Sequence, residues 1–178
     1  YIRQYLITNE KYTEEELRYG GYKIYTTLDL TCQQEAERAM LSVPNVPVKV
    51  QPQAAMVTLD PRTGESLAMV GGREYGHSQY NRSIRSYRQP GSAVKPFVYA
   101  TALDNGFTAA SIFEDKPLSI TLPDGTQYNP ENYDHQYRGR MTLREALKNS
   151  VNSVTVQLLQ QVGVDNVVKQ MEQMGINS

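Results

Sequence analysis

The sequence has no tryptophan, three phenylalanines and one cysteine, set against thirteen tyrosines. A single cysteine, Cys32, excludes an internal disulfide, so any core rests on packing and hydrogen bonds. With most tyrosines in polar stretches, many rings are expected at half-exposed places where the hydroxyl stays wet. No apolar run reaches the ~18 residues that a membrane span needs, and there is no secretory signal pattern. Charge of one sign is lacking as well. Eighteen Lys and Arg balance nineteen Asp and Glu to a formal −1, so no global field favours nucleic acid or an acidic surface. Neither a metal site nor a cofactor is expected.

At 178 residues the chain suits one good-sized core, or one domain with pieces of its neighbours. It opens on Tyr1-Ile2-Arg3 rather than an initiator and stops soon after a helical segment, so both ends read as boundaries within a longer protein.

Residues 1–18 are predicted helical, with Thr13 and Glu16 forming a capping box for a short helix that ends at Gly20-Gly21. Tyr22 to Leu28 alternates β-branched and aromatic residues with period two and predicts a strand. Asp29 to Ser42 turns helical, and the three prolines of residues 43–53 predict an extended linker with a domain boundary. Ala54–Leu59 and Ser66–Val70 flank Asp60-Pro61-Arg62-Thr63-Gly64, which predicts a hairpin covered on both faces.

Residues 73–91 interleave four arginines with tyrosines; a loop packed around the next helix explains this better than a nucleic-acid surface in a neutral protein. Asn105-Gly106 closes that helix. Residues 107–140 are mostly irregular, with a short strand within Leu118–Leu122, and a segment this long reads as a binding-site wall. Thr142 and Glu145 form a second capping box. Two more helices follow, Val154–Val162 and Asp165–Met174, the last burying Val168, Met171 and Met174.

Between these elements stands the run Arg88-Gln89-Pro90-Gly91-Ser92-Ala93-Val94-Lys95-Pro96-Phe97. The Pro90-Gly91 turn puts Ser92 at the cap of an apolar helix. Lys95, three residues on, then shares its face. Serine is a weak nucleophile until a neighbouring base takes its proton, and a deprotonated lysine is such a base. An ordinary lysine titrates at about 10.4, so work near neutral pH needs its ammonium form disfavoured by about 4 kcal/mol. Burial and a helix N-terminus both act in that direction. The spacing alone is short enough to arise by chance.

Ser150-Val151-Asn152 forms a second constellation in a polar break between helices. There Ser150 is a candidate proton relay and Asn152 a candidate clamp on a substrate amide. Serine and asparagine are equally at home as helix-end residues, and composition alone leaves that alternative open.

Taken together these segments resemble the class A, bifunctional penicillin-binding proteins. Gly21 to Asp29, the Asp60-Pro61-x-Thr63-Gly64 turn, and Tyr80-Asn81-Arg82 leading into Gln89-Pro90-Gly91-Ser92-x-x-Lys95-Pro96-Phe97 carry the resemblance. Thr142 to Leu147 and Ser150-x-Asn152 complete it in the same order; Ser-x-x-Lys and a Ser-x-Asn turn belong to the signature of that superfamily. The resemblance implies an α+β fold. This would be a partial transpeptidase domain of the penicillin-binding-protein and serine β-lactamase type, with a hairpin of a mixed sheet, a helical cluster and a small linker region before them. It implies that residues 1–20 end a glycosyltransferase domain, 21–52 form the inter-domain linker and 53–178 begin the transpeptidase domain.

The implied roles are Ser92 as nucleophile, Lys95 as its base, Ser150 as proton relay and Asn152 as substrate-amide clamp. The implied partners are D-Ala-D-Ala stem peptides of peptidoglycan, β-lactam antibiotics and other cell-wall synthesis proteins. The implied place is the extracytoplasmic face of a bacterial membrane, held by an N-terminal anchor outside these residues.

One part of the signature is missing, because no Lys or His is followed by Ser or Thr and then Gly. That motif supplies an oxyanion donor in the family, and losing one donor lowers rates by about 10² to 10³. This polypeptide alone is therefore expected to be a poor catalyst. Two rivals stay in view. A serine β-lactamase needs a water-activating acid, for which only the helical Asp165 and Glu172 follow Asn152. A non-catalytic scaffold or partner-binding module of a cell-wall synthase is the other.

Overall fold

A computed structural model describes residues 1–42, 44 and 52–176. It divides into two compact units, Tyr1–Ser86 and Tyr87–Ser178. The first contains α1 (Ile2–Thr8), α2 (Glu14–Tyr19), α3 (Leu30–Leu41), β1 (Met56–Leu59), β2 (Ser66–Val70) and the single turn α4 (Arg82–Arg85). The N-terminal helix is thus two pieces, with Lys11 in the left-handed region (φ 63°) between them. Thr13 accepts from Glu16 N–H while the Glu16 carboxylate accepts from Thr13 N–H, the predicted capping box.

Asp29 caps α3, and Ala36 and Met40 of that helix pack on Ala68 and Val70 of β2. The predicted hairpin is present, antiparallel with Met56 opposite Val70 and an irregularity at Thr58/Leu59. It is covered on one side only. Met56, Val57 and Leu59 of β1 are exposed, against the prediction of two covered faces.

The predicted strand Tyr22–Leu28 is absent. Its alternation is real, but no strand lies beside it among the described residues. Only its end is tied to β2, by Thr27 Oγ1 donating to Ser66 O and Asp29 N–H to Leu67 O. Without a ladder partner, an alternating segment stays extended coil. Of the predicted linker, residues 43 and 45–51 lie outside the described residues.

The second unit runs from a 3₁₀ turn (Gly91–Val94) into α5 (Lys95–Asp104), then β3 (Ile112–Asp115), β4 (Ile120–Thr121), β5 (Gln127–Tyr128) and β6 (Gly139–Thr142). It ends with α6 (Leu143–Lys148), α7 (Asn152–Val162) and α8 (Val164–Gln173). Its core joins Val98, Tyr99 and Ala102 of α5 to Phe113, Met141, Ala146, Val154, Leu158 and Val167. β3 pairs with β6 antiparallel, Phe113 opposite Met141, and this short sheet was not foreseen. The strand foreseen within Leu118–Leu122 is two residues long and pairs with β5.

Thr142 forms the second predicted capping box with Glu145. In α8 the buried residue is Val167, with Met171 partly buried, while Val168 and Met174 are exposed. The buried stripe is thus displaced from the Val168–Met171–Met174 set expected.

Candidate active site

Ser92 does not cap α5 as predicted. It sits in the preceding 3₁₀ turn, entered through Gly91 at φ 55°, a left-handed value that only glycine adopts freely. The turn places its hydroxyl at the surface and starts α5 at Lys95. Pro96 is then the second residue of α5, where the missing N–H would have had no intrahelical partner in any case.

Lys95 is buried at 6% exposure, and its removal from water holds its ammonium group below the usual lysine value. Nζ makes three contacts, to Ser150 O at 2.6 Å, Ser150 Oγ at 2.9 Å and Asn152 Oδ1 at 2.6 Å. None of these partners is an anion, and burial is the cause of the lowered proton affinity. The route to the Ser92 hydroxyl is indirect, because Ser150 Oγ lies 3.2 Å from Ser92 Oγ and no described side-chain hydrogen bond joins Ser92 Oγ to Lys95 Nζ. The predicted pair is therefore a chain of three, Ser92–Ser150–Lys95.

Ser150 owes its place to the end of α6. Its N–H donates to Leu147 O at 3.0 Å and the N–H of Val151 to Ala146 O at 2.9 Å, the two bonds of a Schellman motif. The motif puts Ser150 in the left-handed region (φ 53°), a slot that usually holds glycine. A side chain there costs about 1 kcal/mol. The return is a hydroxyl and a carbonyl of the same residue that both meet Lys95 Nζ.

Asn152 opens α7 two residues before the predicted start. Oδ1 faces Lys95 and Nδ2 donates to Glu131 O at 2.7 Å, which fixes the amide orientation. One N–H of its amide and one lone pair of its oxygen are left for a substrate amide.

Sequence reasoning missed the layer behind this turn. Asn132 is 4% exposed and Asp115 1%. Asn132 Oδ1 accepts from Asn152 N–H at 2.9 Å and Ser153 N–H at 3.5 Å, and its Nδ2 donates to Asp115 Oδ1 at 2.8 Å. Asp115 shares the inward face of β3 with Phe113, two residues away. A carboxylate in phase with a buried aromatic is the signal that was there to read.

Residues 54–178 match the penicillin binding protein transpeptidase domain family. Penicillin-binding protein 1B of Vibrio cholerae is 37% identical over 163 residues, which cover 89% of this chain and 21% of that protein. Penicillin-binding protein 1A of Pseudomonas aeruginosa is 40% identical over 124 residues, 69% of this chain and 15% of that protein. The chain thus spans about a fifth or less of the length of these relatives.

Among solved structures, the PonA1 protein from Mycobacterium tuberculosis in complex with penicillin V aligns with a TM-score of 0.81 at 26% identity. That alignment covers 98% of this chain and 45% of that one. Penicillin-binding protein 1A from Haemophilus influenzae aligns at 0.66 with 36% identity, over 69% of this chain and 18% of that one.

Proposed function

The chain belongs to the penicillin binding protein transpeptidase domain family, and from that membership we propose that Ser92 is the acyl-transfer nucleophile of a peptidoglycan-cross-linking protein. The observation that carries the reading is the single hydroxyl, Ser150 Oγ, within reach of both Ser92 Oγ and Lys95 Nζ. With Lys95 neutral, its two N–H groups donate to Ser150 O and Asn152 Oδ1, which can only accept. Its lone pair is left for the Ser150 hydroxyl, which turns its hydrogen from Ser92, to which it donates in the structure, onto Lys95 and then accepts from Ser92.

A proton then leaves Ser92 for Ser150 as the proton of Ser150 passes to Lys95. Ser92 Oγ attacks the carbonyl carbon between two D-alanines of a stem peptide. The C–N bond breaks, and the departing D-alanine amine takes back the proton along the same chain. An amine from a second strand attacks the Ser92 ester, gives its proton to the relay, and forms the cross-link as Ser92 regains its hydrogen. The Ser92 backbone N–H is the candidate donor for half of the oxyanion hole. A β-lactam would be opened by the same attack, and its leaving nitrogen stays tethered to the ester.

We propose three further assignments from the resemblance to the class A penicillin-binding proteins. Residues 1–20 close a glycosyltransferase domain, residues 21–52 link it to the transpeptidase segment 53–178, and the longer protein works on the extracytoplasmic face of a bacterial membrane. No described helix is long and apolar enough to cross a membrane.

The test is cross-linking of lipid-linked muropeptides by the longer protein. Ser92→Ala is expected to abolish cross-linked product while leaving the protein folded, and unchanged product would show that Ser92 is not the nucleophile.

A further inference from the structure

Helix α7 begins at the residues that do the chemistry, yet its N-cap is Val151, which has no side-chain acceptor to offer. The first N–H groups of a helix need partners, and here they find one far away in sequence. Asn132 Oδ1, on the loop before β6, receives the N–H groups of both Asn152 and Ser153. Asn132 is held so that its oxygen, not its nitrogen, faces α7, because Nδ2 donates to Asp115 Oδ1 and to Gln136 O, each at 2.8 Å.

Asp115 is held in turn by Ser153 Oγ–H and by Arg138 N–H at 3.0 Å. Every polar atom of this buried group is partnered, and no described buried side-chain donor or acceptor is left over. A network of this kind has one arrangement and transmits it to what it touches. What it touches is the start of α7, which carries the Asn152 carboxamide onto Lys95 and follows directly on Ser150.

We propose that Asp115 and Asn132 are positioning residues for acyl transfer, holding the Ser150–Asn152 turn so that Ser150 stays in line between Ser92 and Lys95. This rests on the reading of Ser92 as nucleophile. The network does not touch Ser92 and reaches the chemistry only through the Ser150–Asn152 turn, so the relay of protons through Ser150 is expected to suffer more than binding through Asn152. A displacement of about 1 Å in such a chain lowers a rate by about 10²-fold.

The test is acylation of the longer protein by a fluorescent penicillin over a range of concentrations. It separates the maximal acylation rate from the half-saturating concentration. Asn132→Ala is expected to lower the maximal rate by about 10²-fold and leave half-saturation within about threefold. Asn132→Asp sets two carboxylates against each other and is expected to be worse. Ser153→Ala removes one hydrogen bond to Asp115 with little change of volume and is expected to fold and to lower the maximal rate by about three- to tenfold.

A wild-type rate retained in Asn132→Ala or in Ser153→Ala, or a loss confined to half-saturation, overturns this role while leaving the function standing. Absence of Ser92-dependent labelling in the wild type overturns both.

Discussion

Ser150 combines a left-handed backbone with a hydroxyl placed on Lys95, and two substitutions separate the two. Glycine tolerates its left-handed backbone and alanine does not, while neither carries a hydroxyl. Ser150→Gly is therefore expected to be more stable than Ser150→Ala by about 1 kcal/mol in denaturant unfolding, and both are expected to acylate at least about 10²-fold more slowly than wild type. Lys95 gives a pH prediction. Burial lowers its affinity for a proton, so the acylation rate is expected to rise with pH through a midpoint below the ordinary lysine value. Over that window the unfolded chain binds more protons than the folded one, so stability rises with pH there too. Lys95→Arg stays charged at every accessible pH and is expected to lose both the rate and its acid limb, read as a pH profile of labelling. At this scale Ser92, Lys95, Ser150 and Asn152 were legible because they recur at short, recognisable spacings. Asp115 and Asn132 were not, because they act across 17 to 38 residues of intervening chain and belong to no short motif.

Among the elements, the ones that announce themselves in adjacent residues were the ones read correctly. Thr142 and Glu145 cap α6 as their spacing requires, and Thr142→Ala is expected to lower the unfolding free energy by about 1 kcal/mol. Leu158 of α7 is fully buried in the core of the second unit, so Leu158→Ala is expected to cost about 2–5 kcal/mol, measured in the same way. Strands were read less well, for a physical reason. Tyr22–Leu28 has the alternation of a strand but no strand beside it among the described residues, whereas β3 and β6 are four residues each and become strands through partners 24 to 30 residues away. The 3₁₀ turn at Ser92 was missed because Gly91, Pro90 and an apolar run fit an α-helical cap equally well. The difference moves Ser92 off the helix and makes Ser150 the necessary bridge to Lys95.

For the molecule as a whole, Ser92, Ser150 and Lys95 all lie in the second unit, Tyr87–Ser178. The sequence carries no Lys or His followed by Ser or Thr and then Gly. The 178-residue polypeptide is therefore expected to label about 10² to 10³ times more slowly than a longer protein that carries that motif. The central claim is that Ser92 forms the ester. It is tested most directly by treating the longer protein with penicillin, digesting it, and locating the adduct by mass spectrometry. One adduct per chain on the peptide that contains Ser92, absent in Ser92→Ala, is the predicted result. A stoichiometric adduct on any other residue, or labelling that survives Ser92→Ala, would contradict it.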